Sequence, residues 1–146
     1  MSFPNEPDFV IVKVGDGELP EVFTVICGID NAAINKTVNT SDRFRRDCAK
    51  PGEVPLRKVT VTGEQWDVTG SGVINMDQFP LFDSALGIRK NYRLDYGKRD
   101  GTGTGLIVGY HEGPALMTAH NINVGDDGGT AEITLAGEDK LVWTAI

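Results

Sequence analysis

Several residue types and patterns are scarce in this sequence, and each scarcity excludes a class of protein. The two cysteines, Cys27 and Cys48, are too few for a disulfide framework. Cys27 ends an apolar strand pattern and is expected to be a buried thiol, whereas Cys48 is expected at the surface; a bridge between them stays open. No apolar run approaches the length of a membrane span and no charged-then-apolar leader opens the chain. We therefore expect a soluble protein without membrane insertion.

Groups that carry catalysis or bind metals are equally sparse. The two histidines, His111 and His120, have no cysteine or carboxylate at metal-ligand spacing. Gly101–Gly105 resembles a phosphate-binding loop, but neither the required lysine nor a helix follows it, so a turn is predicted. Ser71 lacks the spacing of a nucleophile elbow. Because no nucleophile, base and orienting group come together, the sequence predicts no enzyme, no metal site and no cofactor.

The charge of the chain is acidic overall and unevenly distributed. Fourteen basic and 21 acidic residues give a net charge of −7, which argues against a sequence-reading nucleic-acid binder. Seven basic residues lie within 36–58 and five more within 89–99, whereas 1–35 and 100–146 hold one each. Two interpretations stay open. The clusters are a chance feature of a solvated surface, or copies of the chain present opposite charges to one another and so set their register.

Most of the chain alternates apolar and polar residues with the period of a β-strand that buries one face. The length of 146 residues and an apolar content of 40% suit one domain over residues 1–146, with residues 1–8 as an N-terminal arm. About nine strands are predicted, two of them at Leu106–Glu112 and Pro114–Val124. Inward-facing side chains are expected at Trp66, Val68, Tyr92, Leu94, Tyr96, Ala131, Ile133, Leu135, Leu141, Trp143 and Ala145.

One segment has the period of a short amphipathic helix instead. Phe79, Leu81, Phe82, Ala85 and Leu86 fall on one side of a helix whose apolar face must lie on a sheet. Asp77 is expected as its N-cap, Pro80 suits its first turn, and Gly87 suits its end.

Residues 39–57 stand out because they have no usable period, contain two prolines, and place Phe44 among three arginines. Structureless loops of this length are uncommon in a compact domain. One interpretation is a floppy excursion. The other is a contact loop, with Phe44 as an apolar anchor and Arg43, Arg45 and Arg46 as ion-pair donors.

Three pieces of the sequence carry a resemblance to a known family. They are VFTVICGIDNAAINKTVN before the polar loop, KVTVTGEQWDVTGSGVI followed by the helix MDQFPLFDSALG, and the C-terminal EGPALMTAHNINVGDDGGTAEITLAGEDKLVWTAI. In this order they resemble the tail tube proteins of long-tailed bacteriophages and of phage-derived gene transfer agents. The resemblance runs from about Val22 to Ile146. It does not extend residue by residue to the N-terminal arm or to the arginine-rich loop.

The resemblance implies a fold and a structural role. The fold is mainly β: two packed antiparallel sheets in a β-sandwich or partial barrel, with one flanking short α-helix and a long β-hairpin-type loop. The implied function is a virion protein that self-assembles into stacked hexameric rings. These rings form a tail tube that surrounds the tape measure protein and later conducts double-stranded DNA without sequence-specific binding. The implied location is the virion tail, assembled in the host cytoplasm, and no chemistry or cofactor is implied.

Within that role, charge suggests which residues act. An acidic lumen passes DNA without holding it, because like charge repels phosphate. The lumen candidates are Asp67, Glu112 and Glu132. The contact candidates are Arg43, Phe44, Arg45 and Arg46, which are expected to pair with acids on a neighbouring copy or ring. Those acids are Asp126, Asp127, Glu138 and Asp139.

Three other functions fit the sequence less well. A monomeric β-sandwich binding module would expose an aromatic platform, and the apolar faces of Trp66 and Trp143 favour core positions instead. Another phage structural protein, such as a tail terminator or head-tail connector, fits the single helix and strand-rich C-terminus less well. The sequence lacks the catalytic residues that a small hydrolase needs.

Overall fold

The computed structural model describes residues 3–146, and this chain divides into two compact units. We call Lys36–Gln65 the hairpin unit and the remainder the core unit. No described helix is long and apolar enough to cross a membrane. The described residues form a 3-10 turn at Met76–Gln78, one α-helix and eight strands: β1 (Phe9–Gly15), β2 (Phe23–Val25), β3 (Ile29–Arg45), β4 (Leu56–Val73), α1 (Phe79–Ala85), β5 (Arg89–Lys98), β6 (Leu106–Gly125), β7 (Gly128–Gly137) and β8 (Val142–Ala145).

The long strand β6 joins two halves of one sheet. The strand order is β2-β1-β5-β6-β7-β4-β3, with β8 also paired to β6. Residues 106–116 of β6 pair with β5, and residues 115–125 pair with β7. We call β2, β1, β5, β8 and the first part of β6 the β5 half. The β7 half is the rest of β6, β7, and the core-unit parts of β4 and β3. The two strands predicted on either side of Pro114 are therefore one strand, and the strand count is eight.

One buried cluster receives side chains from both halves and from α1. Its largest fully buried side chains are Tyr92, Ile26, Leu94, Met117, Ile133, Leu135, Val12 and Val68. Trp66 and Ala131 are buried with them, as their alternation predicts. Because both halves bury one face in the same cluster, the mainly β, sandwich-like fold is confirmed. The two halves are nevertheless one hydrogen-bonded sheet rather than two.

Glycines allow close approaches that a side chain would prevent. A Cβ on Gly72 would fall on the carbonyl oxygen of Gly28, which receives a hydrogen bond of 3.0 Å from the backbone N–H of Val73. Three further glycines lie directly beneath aromatic rings. The pairs are Gly97 with Phe9, Gly109 with Trp143, and Gly137 with Trp66. These glycines let large rings pack closely against neighbouring strands.

The helix is where predicted, but its N-terminal cap is not. Asn75 caps the preceding 3-10 turn by accepting a hydrogen bond from the backbone N–H of Asp77, and Gln78 stands at the start of α1 without a side-chain cap. The N-cap role predicted for Asp77 is therefore wrong, because the 3-10 turn inserts one more turn before the helix. Pro80 lies in the first turn, and Gly87 follows the helix with φ +76°, both as predicted.

His120 on β6 lies against the aromatic face of the helix. Its ring stacks on Phe82 at a centroid distance of 4.0 Å and meets Phe79 edge-on at 6.4 Å. Its Nε2 atom is buried and has no hydrogen-bond partner among the described residues. Burial lowers the pKa of His120 from its usual 6.5, and the nearby Asp83 carboxylate opposes this only in part. The neutral ring is therefore the form that suits this packing.

Acidification is expected to destabilise the protein partly through His120. A base whose pKa is lower in the folded state contributes stability above its unfolded pKa, and this contribution is lost as the pH falls through the folded-state pKa. The melting temperature should therefore drop less between about pH 8 and about pH 5 for His120→Phe than for the unaltered protein. The phenylalanine keeps the ring stack without a titrating group. Equal pH dependence in both proteins would contradict a role for His120 protonation.

The hairpin unit consists of the outer parts of β3 and β4, which the turn at residues 46–55 connects. The hairpin-type loop predicted from the sequence is confirmed. The loop, however, is shorter than 39–57, because β3 extends to Arg45 and β4 begins at Leu56. Apart from Gly63, every residue of this unit is exposed. Strand residues exposed on both faces need no alternation of polarity, which explains why no period was visible.

Three side chains predicted to be buried, Cys27, Trp143 and Ala145, are exposed instead. Cys27 lies at the surface as a free thiol, like Cys48, because it follows the short edge strand β2 rather than a core strand. Trp143 is 49% exposed, since β8 is a four-residue strand paired with β6 alone among the described strands.

Candidate assembly surfaces

Two strand edges of the β7 half are open within the described chain. The strand order ends at β3, whose outer edge has no neighbour there. On the other side, β5 leaves β6 at Leu116, and after the isolated bridge between Leu86 and Met117 only β7 pairs with β6. The edge at residues 119–125 of β6 is therefore also unpaired among residues 3–146. Open edges present rows of N–H and C=O groups to another chain.

The two edges run in opposite directions. β6 is antiparallel to β7, and β7 is antiparallel to β4. The beginning of β3 lies beside the end of β4, where Val73 donates to Gly28. The β3 edge of one copy is therefore antiparallel to the β6 edge of another copy placed beside it in the same orientation. Such a pairing extends the antiparallel pattern of the β7 half without reversal.

Two of the three lumen candidates share one polar face of the β7 half. The β4 register pairs Asp67 with Ala136, Thr69 with Thr134, and Ser71 with Glu132. These positions alternate with the buried Trp66, Val68, Ile133 and Leu135, so they lie on the face opposite the core. Asn121 lies opposite Glu132 on β6 and extends the face. This face is polar and carries carboxylates from Asp67 and Glu132.

Glu112, the third lumen candidate, lies elsewhere. It is in the β5 half and pairs with Arg93 at 2.9 Å. The Arg93 guanidinium lies between the rings of Phe23 and Tyr110, at 4.2 Å from each centroid. A cation held by two rings and a carboxylate is fixed in place. The charge of Glu112 is thus balanced within the subunit.

The four basic-loop candidates lie together in the hairpin unit. Arg43, Phe44 and Arg45 end β3, and Arg46 follows it. All four are exposed, Phe44 by 69%. The ion pairs inside this unit are Arg57 with Asp42 at 3.7 Å and Lys50 with Glu53 at 4.0 Å. Within the part of the chain described, Arg43, Arg45 and Arg46 form no ion pair and are available to an acid from outside.

The four acidic candidates separate into two pairs. Asp126 and Asp127 form the exposed two-residue turn between β6 and β7. Glu138 is already ion-paired with Arg89, and Asp139 beside it has φ +52° in the turn before β8. The backbone carbonyls of Glu138 and Asp139 both accept from the indole N–H of Trp66, at 3.2 Å each. The β6–β7 turn is therefore the freer acceptor for a basic partner.

The division into units is also a division of charge. The hairpin unit contains seven basic and four acidic residues, a net charge of +3. The rest of the chain contains seven basic and 17 acidic residues, a net charge of −10. The uneven charge seen in the sequence therefore belongs to separate parts of the molecule.

An aromatic pocket of about 370 Å³ was not predicted from the sequence. Tyr96, His111 and Trp143 line it together with residues 5–7 of the arm. The Tyr96 hydroxyl and His111 Nδ1 lie 2.8 Å apart, and burial raises the pKa of Tyr96. The pocket depends on the cross-strand pairing of His111 with Trp143, which the sequence pattern did not reveal. Among residues 3–146, no group of three or more His, Cys, Asp or Glu side chains is placed to hold a metal ion.

Comparison with known proteins places the fold. No family model matches the chain, and no curated protein matches its sequence. A chain from the tail of an empty gene transfer agent particle, refined with C6 symmetry, is 16% identical with a TM-score of 0.63, covering 93% of this chain and 96% of that one. A chain of the sheath–tube complex of the PVC extracellular contractile injection system is 15% identical with a TM-score of 0.63, covering 100% and 95%. The SPP1 tail tube protein is 9% identical with a TM-score of 0.62, covering 98% and 80%. The fold expected from the resemblance is therefore confirmed.

Proposed function

We propose that this chain is the tail tube subunit of a phage-like particle. Residues 1–146 act as one tail-tube-like domain, copies join edge to edge into hexameric rings, and rings stack into a hollow tube. The tube surrounds a tape measure protein and conducts double-stranded DNA. It belongs to the virion tail and is assembled in the host cytoplasm. The observation that carries this proposal is the pair of open, oppositely directed edges on β3 and β6.

Edge pairing explains why two different open edges occur on one subunit. An open hydrophobic edge is a risk of aggregation for a monomer, and closed rings remove it. Pairing β3 of one copy with β6 of the next is a heterologous contact, which repeats until the ring closes. The count of six is supported by the C6 symmetry of the similar tail structure.

The polar face of the β7 half then becomes the wall of the lumen. Closing the ring through β3 and β6 makes the β7 halves into a continuous barrel with the core on its outer side. Asp67 and Glu132 then point toward the channel with Thr69, Ser71 and Thr134 between them. The carboxylates repel the DNA phosphates, and the hydroxyl groups carry no positive charge that would attract them, so DNA passes without binding. The lumen assignment rests on Asp67 and Glu132, because Glu112 lies in the β5 half and not on this face.

The test is negative-stain electron microscopy of the purified protein across concentration and salt, with one edge variant. Counting back from the two-residue turn at Asp126–Asp127, the backbone N–H of Ile122 points away from β7. Ile122→Pro removes this N–H and places a ring on the edge, so rings and tubes are expected to disappear. Ile122→Thr keeps the N–H and should still assemble. Rings formed equally well by the proline variant would contradict closure through the β6 edge.

A monomeric binding module remains the second candidate because Trp143 is half-exposed beside Tyr96 and His111 in the aromatic pocket. Exposed aromatic rings are a feature of many ligand sites. A protein that stays monomeric under every condition of the microscopy experiment would favour this function over the tube.

A further inference from the structure

Three aromatic rings form one continuous wall of the aromatic pocket. The ring of Trp143 packs against Gly109 on β6, and 49% of this residue stays exposed. Its ring centroid lies 5.7 Å from that of Tyr96 and 5.1 Å from that of His111. The Tyr96 and His111 centroids are 5.4 Å apart. The rings therefore pack against one another, and we call this surface the aromatic wall.

The close packing of the rings decides how a ligand can use the aromatic wall. A cage for an organic cation needs ring faces set apart, so that the cation lies between them and close to each face. Centroid separations of 5.1–5.7 Å leave no space for a cation between these rings. The wall instead offers its exposed ring surface to a ligand that stacks on it from the pocket.

Three polar side chains line the pocket beside the aromatic wall. They are Asn5 and Glu6 of the arm and Lys98 at the end of β5. The arm is held there because the backbone N–H of Asp8 donates to the carbonyl of Gly97 at 2.8 Å. Within residues 3–146, the side chains of Asn5, Glu6 and Lys98 make no hydrogen bond or ion pair. Their polar atoms are therefore available to a ligand.

The hydrogen-bonding capacity of these side chains selects the ligand class. The ammonium of Lys98 only donates, the carboxylate of Glu6 only accepts, and the amide of Asn5 does both. Glu6 would repel an anionic ligand, and Lys98 would repel a cationic one. A hydroxyl group donates and accepts without carrying a charge, so a neutral ligand with several hydroxyls matches all three side chains.

We propose that the aromatic pocket is a binding site for a neutral saccharide. A sugar ring has an apolar C–H face, which stacks on the aromatic wall, and an edge of hydroxyls, which reach Asn5, Glu6 and Lys98. The volume of about 370 Å³ is at the small end of the usual range of ligand sites, so the pocket holds one or two sugar rings. This binding activity does not depend on the proposed tube function.

A proline-rich peptide is the other ligand class that stacks on aromatic grooves. Its prolines have no N–H, so such a peptide offers few donors to the carboxylate of Glu6. The Tyr96 hydroxyl is already engaged with His111 Nδ1 at 2.8 Å. The unpaired polar groups of the pocket therefore favour the saccharide.

Ligand-observed NMR titration of the purified chain tests the site. The probes are the methyl glycosides of glucose, galactose, mannose and N-acetylglucosamine, together with the disaccharides of each sugar. At least one probe is expected to bind with a Kd on the order of 1 mM. Its affinity should be the same at about 50 mM and about 500 mM NaCl, because salt screens only the attraction of a charged ligand.

Variants of the pocket connect this binding to the named residues. Trp143→Ala should weaken binding at least about 10-fold, whereas Trp143→Phe keeps a ring and should retain most of the affinity. Glu6→Ala/Lys98→Ala should also weaken binding about 10-fold, and it removes no contact within the described subunit. Val142→Ala is the matched control, because Val142 is the exposed neighbour of Trp143 on the opposite face of β8. Thermal unfolding establishes that each variant folds.

Two results would overturn the saccharide site. One is that no probe binds to the folded protein, including the case in which a proline-rich decapeptide binds in a manner that depends on Trp143. The other is saccharide binding that survives both Trp143→Ala and Glu6→Ala/Lys98→Ala unchanged. Either result leaves the tube function standing, because ring and tube formation is scored separately by electron microscopy.

Discussion

Arg45→Glu/Arg46→Glu is expected to abolish tube growth while the subunit keeps its melting temperature. Both side chains are exposed and form no ion pair within residues 3–146, so the folded monomer loses nothing when they change. Surface substitutions of this kind usually shift stability by no more than about 0.5 kcal/mol. The same change turns the net charge of the hairpin unit from +3 to −1. Acids on the neighbouring copy are then met by like charge.

Repetition makes the effect on assembly large. Losing about 1 kcal/mol at one exposed ion-pair site is modest. Six equivalent sites between two rings lose about 6 kcal/mol together, which lowers the stacking constant by about 10⁴-fold.

The matched control is Arg99→Glu/Lys140→Glu, an equal charge change at two exposed positions of the core unit. Sedimentation and electron microscopy should show tubes for the control alone. Tubes in the Arg45/Arg46 variant at physiological salt would remove the contact role from these arginines.

Trp66→Ala is expected to cost about 3–5 kcal/mol of the free energy of unfolding. The side chain is 3% exposed and packs against Gly137, and its indole N–H donates to the carbonyls of Glu138 and Asp139 in the turn before β8. Removing it leaves a cavity and two carbonyls without their donor. The melting temperature should fall by roughly 10 °C or more.

Trp143→Ala is the matched control, because it removes the same side chain from a site that is 49% exposed. Its cost should be roughly half that of Trp66→Ala, about 2 kcal/mol, since about half of the side chain already faces water. Denaturant unfolding of both variants gives the comparison. Equal destabilisation by the two substitutions would show that burial of Trp66 does not control the stability of this fold.

Alternation predicted the buried faces wherever a strand has a core on one side only. Tyr92 and Leu94 of β5 and Ile133 and Leu135 of β7 are buried as expected. The pattern failed for Cys27 and Trp143, which continue apolar alternation on strands too short or too marginal to be covered. An apolar side chain tolerates burial, but it is buried only where another element of the fold covers it. A single sequence does not identify that covering element.

The candidate site shows the same limit. The exposed arginines, Asp126 and Asp127 were all identified from composition, because turns and unpaired charges have local signatures. The open edge of β6 and the aromatic pocket beside Trp143 were not identified. The edge depends on where β5 ends, and the pocket depends on the pairing of β8 with β6. These are long-range relationships set by strand order, and no spacing along the chain encodes them.

The glycines beneath Phe9, Trp143 and Trp66 have an evolutionary consequence. Each glycine and its ring form one unit, because a larger residue at the glycine collides with the ring, while a smaller ring leaves space above the glycine. The two positions of each pair should therefore covary during divergence. The similar structures are only 9–16% identical to this chain, a range in which sequence alone aligns strands poorly. Three covarying pairs on β1–β5, β6–β8 and β4–β7 would fix the register of these strands in an alignment at such low sequence identity.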